Sequence, residues 1–346
     1  MKLKKIAYIE LDTHPEILSN FMDLMNDSQE FEVDYFISEK IDQLRFSQSS
    51  NIHIVTSESI LHKMNQQSYD LVIIGTIHRY FSTFRKLIHR YKTVAIVHNL
   101  NFSKSKSFEL FQNIWKDDVV FRTKLLLKEG LLLAPNIYQT LKHQLVLDQS
   151  FENNRRKYFP IFYNQIKSER KSLDRLHIVV PGTVSQQRRD YKHILKSLQD
   201  FQNQVTVTFL GKASGTELAG LKKAEEMLPK NIQIQFFTEK LSGEDFGQYM
   251  ADAHVLWCPV QSRTQFMGVD EVYGQTKMSG NIGDAIKFGK PAIFPSTYRS
   301  NFDFIFSEEK DVESQLFRIS NLKFNFDVLQ KELVLNQLEK VLKDLI

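Results

Sequence analysis

Two stretches in the second half of the sequence combine glycines and basic side chains with a helix start, as phosphate sites do. In residues 179–191 an apolar run ends at a Pro-Gly pair, and Arg188 and Arg189 follow just before the next helical stretch. Gly182 allows a phosphate to approach the backbone closely, and guanidinium groups hold phosphate oxygens through charged hydrogen bonds. The pattern predicts a diphosphate site in this loop; the alternative is a surface turn with two solvated arginines.

The second stretch is a short predicted helix, residues 281–288, which two small residues precede. Asn281 is a favourable N-cap, and Gly289 in a Gly-Lys-Pro sequence is a usual helix stop. A helix start without bulky side chains offers backbone N–H groups and the positive end of the helix dipole to a phosphate. Lys277 adds a cation. Asp284 either accepts hydrogen bonds from ribose hydroxyls or only stabilises the helix start.

In the first half, polar side chains follow the apolar runs, where the carboxyl ends of parallel strands place ligand-binding groups. His98 and His78 each follow such a run, and Asp12 and His14 follow the first one. A neutral imidazole in that place can hydrogen-bond a substrate or a transferring group. We expect His98 to be the strongest of these candidates; a loop histidine with a purely structural role is the alternative for each.

Continuous apolar runs alternate with helix-like stretches along most of the chain. The predicted strands are residues 6–11, 31–37, 52–56, 71–74, 94–97, 131–134, 176–180, 205–210, 232–237, 255–260 and 292–295. The predicted helices include residues 16–25, 191–198, 219–228, 245–253, 281–288 and 327–346. This alternation is typical of parallel sheets that helices cover on both faces.

The segment 151–171 interrupts this alternation and is predicted to link two domains. The predicted fold class is therefore α/β, with two Rossmann-like domains facing across a cleft. The domains are residues 1–160 and 161–325, followed by a C-terminal amphipathic helix, residues 326–346. Because open parallel sheets bind ligands at the carboxyl ends of their strands, we expect the loops after the strands to line that cleft.

Composition excludes several function classes. The chain has 346 residues, 42% of them apolar and 25% charged, which suits a globular protein of two domains. It has no G-x-G-x-x-G after a strand and no zinc-finger or RNA-binding motif, so dinucleotide-dependent chemistry and nucleic-acid binding are disfavoured. Its one cysteine, Cys258, lies in an apolar run, which indicates a buried structural thiol and a reducing compartment.

Hydropathy and charge bear on location. No window approaches the ~18 apolar residues of a membrane span, and the N-terminal apolar run stops at Glu10, too early for a signal peptide. We therefore expect a cytoplasmic protein. Residues 1–50 contain 5 Lys/Arg and 10 Asp/Glu, whereas residues 79–170 contain 17 Lys/Arg and 7 Asp/Glu. The basic part suits peripheral contact with the inner face of a membrane or a pyrophosphate-linked acceptor; a solvated basic surface is the alternative.

The second half resembles the donor-binding domain of GT-B glycosyltransferases, in particular the family 4-like group (glycosyltransferase group 1). That group has a Gly-Arg-Leu-Ser-x-x-Lys-Gly loop after the first strand of the domain. In this sequence Gly182 stands at the glycine, Thr183 at the arginine, Ser185 at the serine and Arg188 at the lysine. One of the group's two phosphate cations is thus missing from its usual place.

The group also has a paired-glutamate element that ends in Glu-Ala-x-x-x-Gly-Lys-Pro. The run from Asp284 to Pro291 matches this ending, with Asp284 at the second glutamate. The first glutamate normally lies eight residues earlier, where this chain has Thr276. Glu271, 13 residues before Asp284, is the acidic candidate for the donor-sugar contact besides Asp270, and it implies an insertion.

The resemblance implies a hexosyltransferase-type enzyme of polysaccharide biosynthesis that needs no metal and no further cofactor. It moves a sugar from a nucleotide sugar, UDP- or GDP-linked, to a glycan or lipid-linked acceptor. The implied catalytic residues are His98, near the donor sugar, and Glu271. The donor-binding residues are Gly182, Thr183, Arg188, Arg189, Lys277, Asn281 and Asp284, with Arg189, Lys212 and Lys277 as candidates for the missing cation. Two alternatives stay open: a non-catalytic sugar-nucleotide or glycan-binding protein, and a sugar-nucleotide epimerase.

Overall fold

The computed structural model describes residues 3–42, 50–116, 118–165 and 175–346, in which strands and helices alternate. The elements of the first half are β1 (Lys4–Glu10), α1 (Pro15–Met25), β2 (Phe31–Ile37), α2 (Glu39–Asp42), β3 (Ile52–Ile54), α3 (Ile60–Met64), β4 (Leu71–Ile74), α4 (Phe81–Arg90), β5 (Thr93–Ile96), α5 (Ser107–Asn113), α6 (Val119–Lys124), α7 (Ala134–Thr140), β6 (Gln144–Val146) and β7 (Arg156–Tyr158). Those of the second half are β8 (Leu176–Pro181), α8 (Tyr191–Leu198), β9 (Val205–Lys212), α9 (Gly215–Met227), β10 (Ile232–Phe237), α10 (Gly243–Asp252), β11 (Val255–Trp257), β12 (Arg263–Phe266), β13 (Val269–Val272), α11 (Gly280–Phe288), β14 (Ala292–Phe294), β15 (Ile305–Ser307), α12 (Val312–Ser320) and α13 (Lys331–Leu345).

Contacts divide the chain into two compact units. The first contains Met1–Ile161, Gln265–Glu271 and Lys331–Ile346, and the second contains Phe162–Thr264 and Val272–Gln330. The sequence had assigned residues 265–271 to the second domain and had set residues 326–346 apart. Short-range sequence patterns do not show which core a surface helix or a hairpin tip joins, because that depends on contacts between residues far apart in the chain.

The first unit is built on a parallel sheet. Within the described ranges its seven strands follow the order β3-β2-β1-β4-β5-β6-β7. Residues 6–9 of β1 and 71–74 of β4 are fully buried, as expected for central strands covered on both faces. The strand order reverses between β1 and β4, which is where open α/β sheets bind ligands.

The second unit repeats this plan. In the described part of the chain its six parallel strands follow the order β10-β9-β8-β11-β14-β15, so the reversal lies between β8 and β11. Trp257, the last residue of β11, and Cys258, which follows it, are fully buried. Burial raises the pKa of the Cys258 thiol above its usual range. The prediction of a buried thiol is confirmed, and so is the α/β class with two Rossmann-like sheets.

The predicted strand at residues 131–134 is wrong. Leu131–Leu133 form a 3-10 helix that leads into α7, and β6 is the strand that pairs with β5. Gly130, with a φ of 77°, turns the chain before it, and Pro135 lies at the start of α7, where proline is favoured. A short apolar run does not by itself distinguish a buried strand from a buried helical turn.

The predicted link, residues 151–171, contains a seventh strand. β7 pairs in parallel with β6, and the first unit extends to Ile161. β7 is only three residues long and carries Arg156 and Lys157, so it lacks the apolar run that marks the central strands. Residues 166–171 lie outside the described residues.

The helix α13 belongs to the first unit. Its apolar face buries Val334, Leu338 and Leu342, which confirms the amphipathic period of the sequence. Lys331 pairs with Asp23 (3.3 Å) and Asp27 (2.8 Å) at the end of α1. The helix therefore completes the first unit. None of the helices in the described ranges is long and apolar enough to cross a bilayer.

Candidate functional site

The loop that follows β8 is shaped around the side chain of Arg189. Gly182, the first residue after β8, has a φ of 102°, a value that favours glycine. A Cβ atom at this position would lie 2.3 Å from Nη2 of Arg189. The missing side chain thus makes room for a guanidinium, and the approach of a phosphate to the backbone of Gly182 stays a prediction.

This guanidinium is held where the loop meets α11. Nη1 of Arg189 donates to the carbonyl oxygen of Thr183 (3.4 Å), and Nη2 donates to Oδ1 of Asn281 (3.3 Å). Its Nε is buried and has no hydrogen-bond partner among the described residues. A buried donor without a partner costs free energy unless a ligand satisfies it, so the junction is suited to an anion.

The helix α11 starts differently from the prediction. Its N-cap is Ser279, whose Oγ accepts a hydrogen bond from the backbone N–H of Asn281 (3.3 Å). The side chain of Asn281 is buried and donates to the carbonyl oxygen of Pro181 (3.4 Å) and to Oδ2 of Asp284 (3.0 Å). Asn281 thus ties the end of β8 to α11. Gly280, the first helical residue, is exposed with open space around it.

The structure therefore brings the 182–189 loop and the start of α11 together. Thr183 and Arg188 are exposed, and the carbonyl oxygen of Arg188 accepts a hydrogen bond from the backbone of Gln261 (3.0 Å). Lys277 is half-buried in the turn between β13 and α11, where its carbonyl oxygen accepts from the N–H of Gly274 (2.9 Å). The roles of these residues toward a donor stay predictions.

Beside this loop lies a cavity of about 440 Å³ that the sequence reasoning missed. Its walls come from the start of α8 and from the segments after β11, β14 and β15, and they include Asp190, His193, Gln261, Ser262, Ser296 and Lys310. Glu308, which also lines it, accepts from Nε1 of Trp257 (3.0 Å) and pairs with His193. The position of these residues directly after strands was the signal available in the sequence.

In the first unit, the loops after β1, β4 and β5 bring three histidines together. The rings of His14 and His98 stack with centroids 4.1 Å apart, and His78 lies 5.7 Å from His98 and 5.9 Å from His14. The sequence singled out each of them separately. The structure shows one histidine cluster (His14, His78 and His98) at the point where the strand order of the first sheet reverses.

Hydrogen bonds define the proton positions in the cluster. His98 Nε2 lies 2.9 Å from the carbonyl oxygen of Gly75. A carbonyl only accepts, so this nitrogen carries a proton and Nδ1 is the acceptor of the neutral ring. Nε2 of His78 accepts from Nδ2 of Asn99 (3.1 Å). Across the described residues, no three His, Cys, Asp or Glu side chains are placed to hold a metal ion.

A buried carboxyl group lies beneath these loops. Glu10, at the end of β1, is fully buried, and its Oε2 accepts from the hydroxyl of Thr76 (2.9 Å). Its Oε1 accepts from the backbone N–H groups of Asp12 (3.5 Å) and Thr13 (3.4 Å). Burial raises the pKa of Glu10 to about 8, although these hydrogen bonds oppose the shift. The sequence reasoning had treated this residue only as the end of an apolar run.

An ionic network of Arg79, Glu129 and Asp12 also holds these loops. Nε of Arg79 donates to both carboxylate oxygens of Glu129 (3.2 and 3.1 Å), and the backbone N–H of Tyr80 also donates to Glu129 (3.0 Å). Nη1 of Arg79 lies 3.5 Å from Oδ1 of Asp12. The loop after β4, which carries His78, is therefore fastened to the segment that ends at Glu129.

Glu271, which the resemblance implied as a catalytic residue, lies in the first unit rather than with α11. It is fully buried, and its carboxylate accepts from the backbone N–H groups of Phe102 (2.8 Å) and Asn101 (3.2 Å). Its neighbour Asp270 accepts from Nδ2 of Asn101 through its carbonyl oxygen (2.8 Å). These hydrogen bonds tie β13 to the backbone of residues 101 and 102, and the catalytic role of Glu271 stays a prediction.

Comparison with known proteins gives similarity in structure only. No protein-family model matches the chain, and no curated protein matches it in sequence. It is similar to the crystal structure of Anabaena HepE in complex with UDP and glucose, with a TM-score of 0.60 at 10% identity over 99% of this chain and 100% of the other. It is also similar to a glycosyltransferase from Rickettsia africae, with a TM-score of 0.60 at 8% identity over 100% and 99% of the two chains.

A third similar structure is the lipopolysaccharide outer core galactosyltransferase WaaB in its apo form. Its TM-score is 0.57 at 9% identity, over 99% of this chain and all of the other. At such identities the likeness shows the fold. The chain has the GT-B fold of these structures, and the fold that the sequence resemblance implied is confirmed.

Proposed function

We propose that this protein is a glycosyltransferase that moves a sugar from a nucleotide sugar, UDP- or GDP-linked, to a glycan or lipid-linked acceptor. One observation carries the proposal: a half-buried guanidinium with an unpartnered Nε lies at the open start of α11, at the strand-order reversal of the second sheet. Anabaena HepE, which has a similar fold, was solved with UDP and glucose. The GT-B fold supports this reaction class without deciding it.

The donor diphosphate is assigned to Arg189 and the start of α11. Arg189 supplies a positive charge, and the backbone N–H of Gly280 and the helix dipole add partial positive charge at a helix start where a Cβ on Gly280 would meet open space. These groups are pre-positioned to stabilise the negative charge that develops on a leaving diphosphate. We therefore propose a reaction that needs no metal, with Lys277 and Arg188 as supporting cations.

The nucleoside is assigned to the cavity beside the 182–189 loop. Its volume of about 440 Å³ is within the range of small-molecule sites. Carboxylates suit ribose hydroxyls because they accept hydrogen bonds only. The cavity offers Glu308 for that contact, and Asp284 on α11 remains the candidate from the sequence.

The reacting groups are assigned to the histidine cluster. His98 is held by Gly75 so that Nδ1 is the acceptor nitrogen of its neutral ring, which suits a hydrogen bond to a sugar hydroxyl or to the transferring group. His78 and His14 support it. Glu271 is assigned a positioning role, because its carboxylate already accepts backbone N–H groups.

Calorimetric titration with UDP and GDP tests the donor site, and a panel of nucleotide sugars assayed for release of nucleoside diphosphate tests the reaction. Binding of one diphosphate together with its release from the matching nucleotide sugar is the expected result. Absence of binding to every nucleotide would favour a non-catalytic glycan-binding protein. Conversion of the sugar without release of diphosphate would favour an epimerase.

A further inference from the structure

The buried carboxyl group of Glu10 contacts two loops of the histidine cluster at once. Glu10 ends β1, beside which the strand order of the first sheet reverses, and it is fully buried. One of its oxygens accepts from backbone N–H groups in the loop after β1, and the other accepts from the hydroxyl of Thr76 in the loop after β4. We call this contact the Glu10 bridge (Glu10 with Asp12, Thr13 and Thr76).

The first side of the bridge leads to His14. The backbone N–H of Thr13, the residue before it, donates to Oε1 of Glu10 (3.4 Å). His14 has a φ of 63°, in the left-handed region that residues with a Cβ rarely adopt. Such a conformation persists only where the surrounding contacts fix it. Here Glu10 fixes the chain before His14, and Glu16, 2.8 Å from Nδ1, fixes its ring.

The second side of the bridge leads to His98. Gly75 precedes Thr76, and its carbonyl oxygen lies 2.9 Å from Nε2 of His98. A Cβ atom at position 75 would lie 2.4 Å from Oε2 of Glu10 and 2.7 Å from the hydroxyl oxygen of Tyr8. Glycine is needed here because it leaves room for the carboxyl group. Glu10 therefore packs directly against the residue that holds His98.

The two sides of the bridge meet at the stacked rings of His14 and His98, whose centroids lie 4.1 Å apart. One ring belongs to the loop after β1, and the other is held by the loop after β4. The stacking therefore depends on how far apart these two loops are held. Arg79 and Asp12 also join the two loops, but their contact is longer (3.5 Å) and both side chains reach solvent. A buried, hydrogen-bonded group fixes its neighbours more firmly than such a contact.

We propose that Glu10 is a positioning residue for His98, because its carboxyl group holds the loops after β1 and β4 together and so sets the stacked pair. The inference rests on the proposed function, in which His98 is assigned to the reaction. The three groups that Glu10 contacts in the bridge all donate to it. A side chain of the same length with an acceptor oxygen can keep this arrangement, whereas an apolar side chain leaves buried donors without an acceptor.

The titration of Glu10 gives the bridge a spectroscopic signature. The titratable and charged groups around Glu10 and Tyr8 are Tyr35 on β2, Glu16 on α1, the histidine cluster, and Asp12 with Arg79 in the loops. Burial raises the pKa of Glu10 to about 8, and loss of its proton places a negative charge beneath the stacked rings. An inflection of the ring signals near pH 8 that Glu10→Gln abolishes therefore reports this carboxyl group.

NMR of the histidine rings and steady-state kinetics test the proposal on the full chain. Glu10→Leu removes the acceptor oxygens at similar volume and should shift the ring signals of both His14 and His98. Release of nucleoside diphosphate should slow about tenfold or more, because a small displacement of a reacting group can cost about 10²-fold. The affinity for nucleoside diphosphate should not change. Glu10→Gln should restore the ring signals and most of the rate.

A second pair of variants tests the bridge without touching the carboxyl group. Thr76→Val removes one hydrogen bond at nearly constant volume and should shift the His98 signal more than the His14 signal. Thr93→Val is the matched control and should shift neither. Thr93 is buried at the start of β5, and its hydroxyl donates to the carbonyl oxygen of Tyr91 (2.9 Å). This pair decides the matter even where Glu10→Leu does not fold.

Unchanged ring signals in Thr76→Val, or unchanged signals and rate in a folded Glu10→Leu variant, would overturn the proposal. So would a Glu10→Gln variant as slow as Glu10→Leu, since the carboxyl group would then act by its charge rather than by accepting hydrogen bonds. If the ring signals shift as expected but the original protein releases diphosphate from no nucleotide sugar, the proposed function fails and the bridge stands. The two failures are thus distinguishable.

Discussion

The two strand-end regions of this protein share a topology and differ in chemistry. In both sheets the strand order reverses beside the first strand of the unit, and the loops at that point carry the candidate functional groups. In the second unit these groups are a glycine, one guanidinium and a helix start. In the first unit they are three imidazoles above a buried carboxyl group.

The difference suggests a division of tasks. A guanidinium that is held by backbone oxygen and amide groups has a charge that does not change near neutral pH, so it suits an invariant anion such as a diphosphate. Imidazoles change protonation near neutral pH, so they suit proton transfer or hydrogen bonding to a reacting group. Four experiments test this division of tasks between the two units.

The first concerns the pH dependence of stability through Glu10. The folded state raises its pKa from 4.5 to about 8, so between these values the folded protein holds a proton that the unfolded chain has lost. The free energy of unfolding should therefore fall as pH rises across this window, by up to about 1.4 kcal/mol per pH unit. Glu10→Gln should remove this contribution.

Urea unfolding near pH 5 and near pH 8, with the original protein and with Glu10→Gln, measures how the free energy of unfolding changes with pH. The difference between the two proteins isolates Glu10 from other titrating groups. Glu58→Gln, an exposed carboxyl of the same unit, is the control and should keep the slope. A parallel pH dependence in Glu10→Gln would show that this carboxyl group is ionised in the folded protein.

The second experiment tests His98. Replacement by glutamine removes the imidazole and should lower the transfer rate by about 10²-fold, because a positioned acid–base or hydrogen-bonding group typically contributes at least that much. The affinity for nucleoside diphosphate should not change, since that site is assigned to the second unit. Steady-state rates and calorimetry measure the two effects.

His62→Gln, an exposed histidine on α3 outside the cluster, is the control and should retain full activity. Loss of nucleotide affinity in His98→Gln with an unchanged rate at saturation would reverse the assignment of tasks between the two units.

The third experiment compares adjacent arginines. Arg189→Ala should cost about 1.5–3 kcal/mol of nucleotide affinity, as loss of a charged hydrogen bond does. Arg188→Ala, whose side chain is exposed, should cost clearly less. Titration calorimetry with the preferred nucleoside diphosphate measures both. A larger effect at Arg188 would restore the direct reading of the sequence motif, in which Arg188 takes the place of the lysine.

The fourth experiment compares two helix caps of the second unit. Ser279 caps α11 and Ser242 caps α10, each through its side-chain oxygen. Alanine at either position should lower stability by about 1 kcal/mol. Only Ser279→Ala should also weaken nucleotide binding, because it loosens the helix start assigned to the diphosphate. Equal nucleotide affinities of the two variants would remove α11 from the site.

Much of the fold follows from local patterns. Continuous apolar runs located the central strands, such as β4, because both of their faces are buried. The same rule failed at 131–134, where glycine and proline chemistry made the apolar run helical, and at β7, which has no apolar run. Sequence patterns predict a strand or helix well when burial alone decides which residues it contains. They predict it poorly when the element exists only because it pairs with a neighbouring strand.

The sequence predicted residues of the candidate site one by one, without showing which of them lie together. Strand-end position selected His14, His78 and His98, the loop pattern after β8 selected Arg188 and Arg189, and the motif resemblance placed Arg188 at the lysine. The network of Glu10 and the cavity beside the 182–189 loop were missed, because a single carboxyl group or a polar wall residue has no distinctive spacing.

Local sequence patterns are enough to predict the α/β class, the two sheets, the strand-end loops and the glycine that precedes two arginines, because each depends on residues close together in the chain. Tertiary packing places Arg189 against Gly182, uses Asn281 to tie β8 to α11 rather than to cap the helix, and joins Glu271 to the first unit. These facts depend on contacts between residues up to 170 positions apart. The direction of a side chain across such distances is fixed by packing, which no local pattern records.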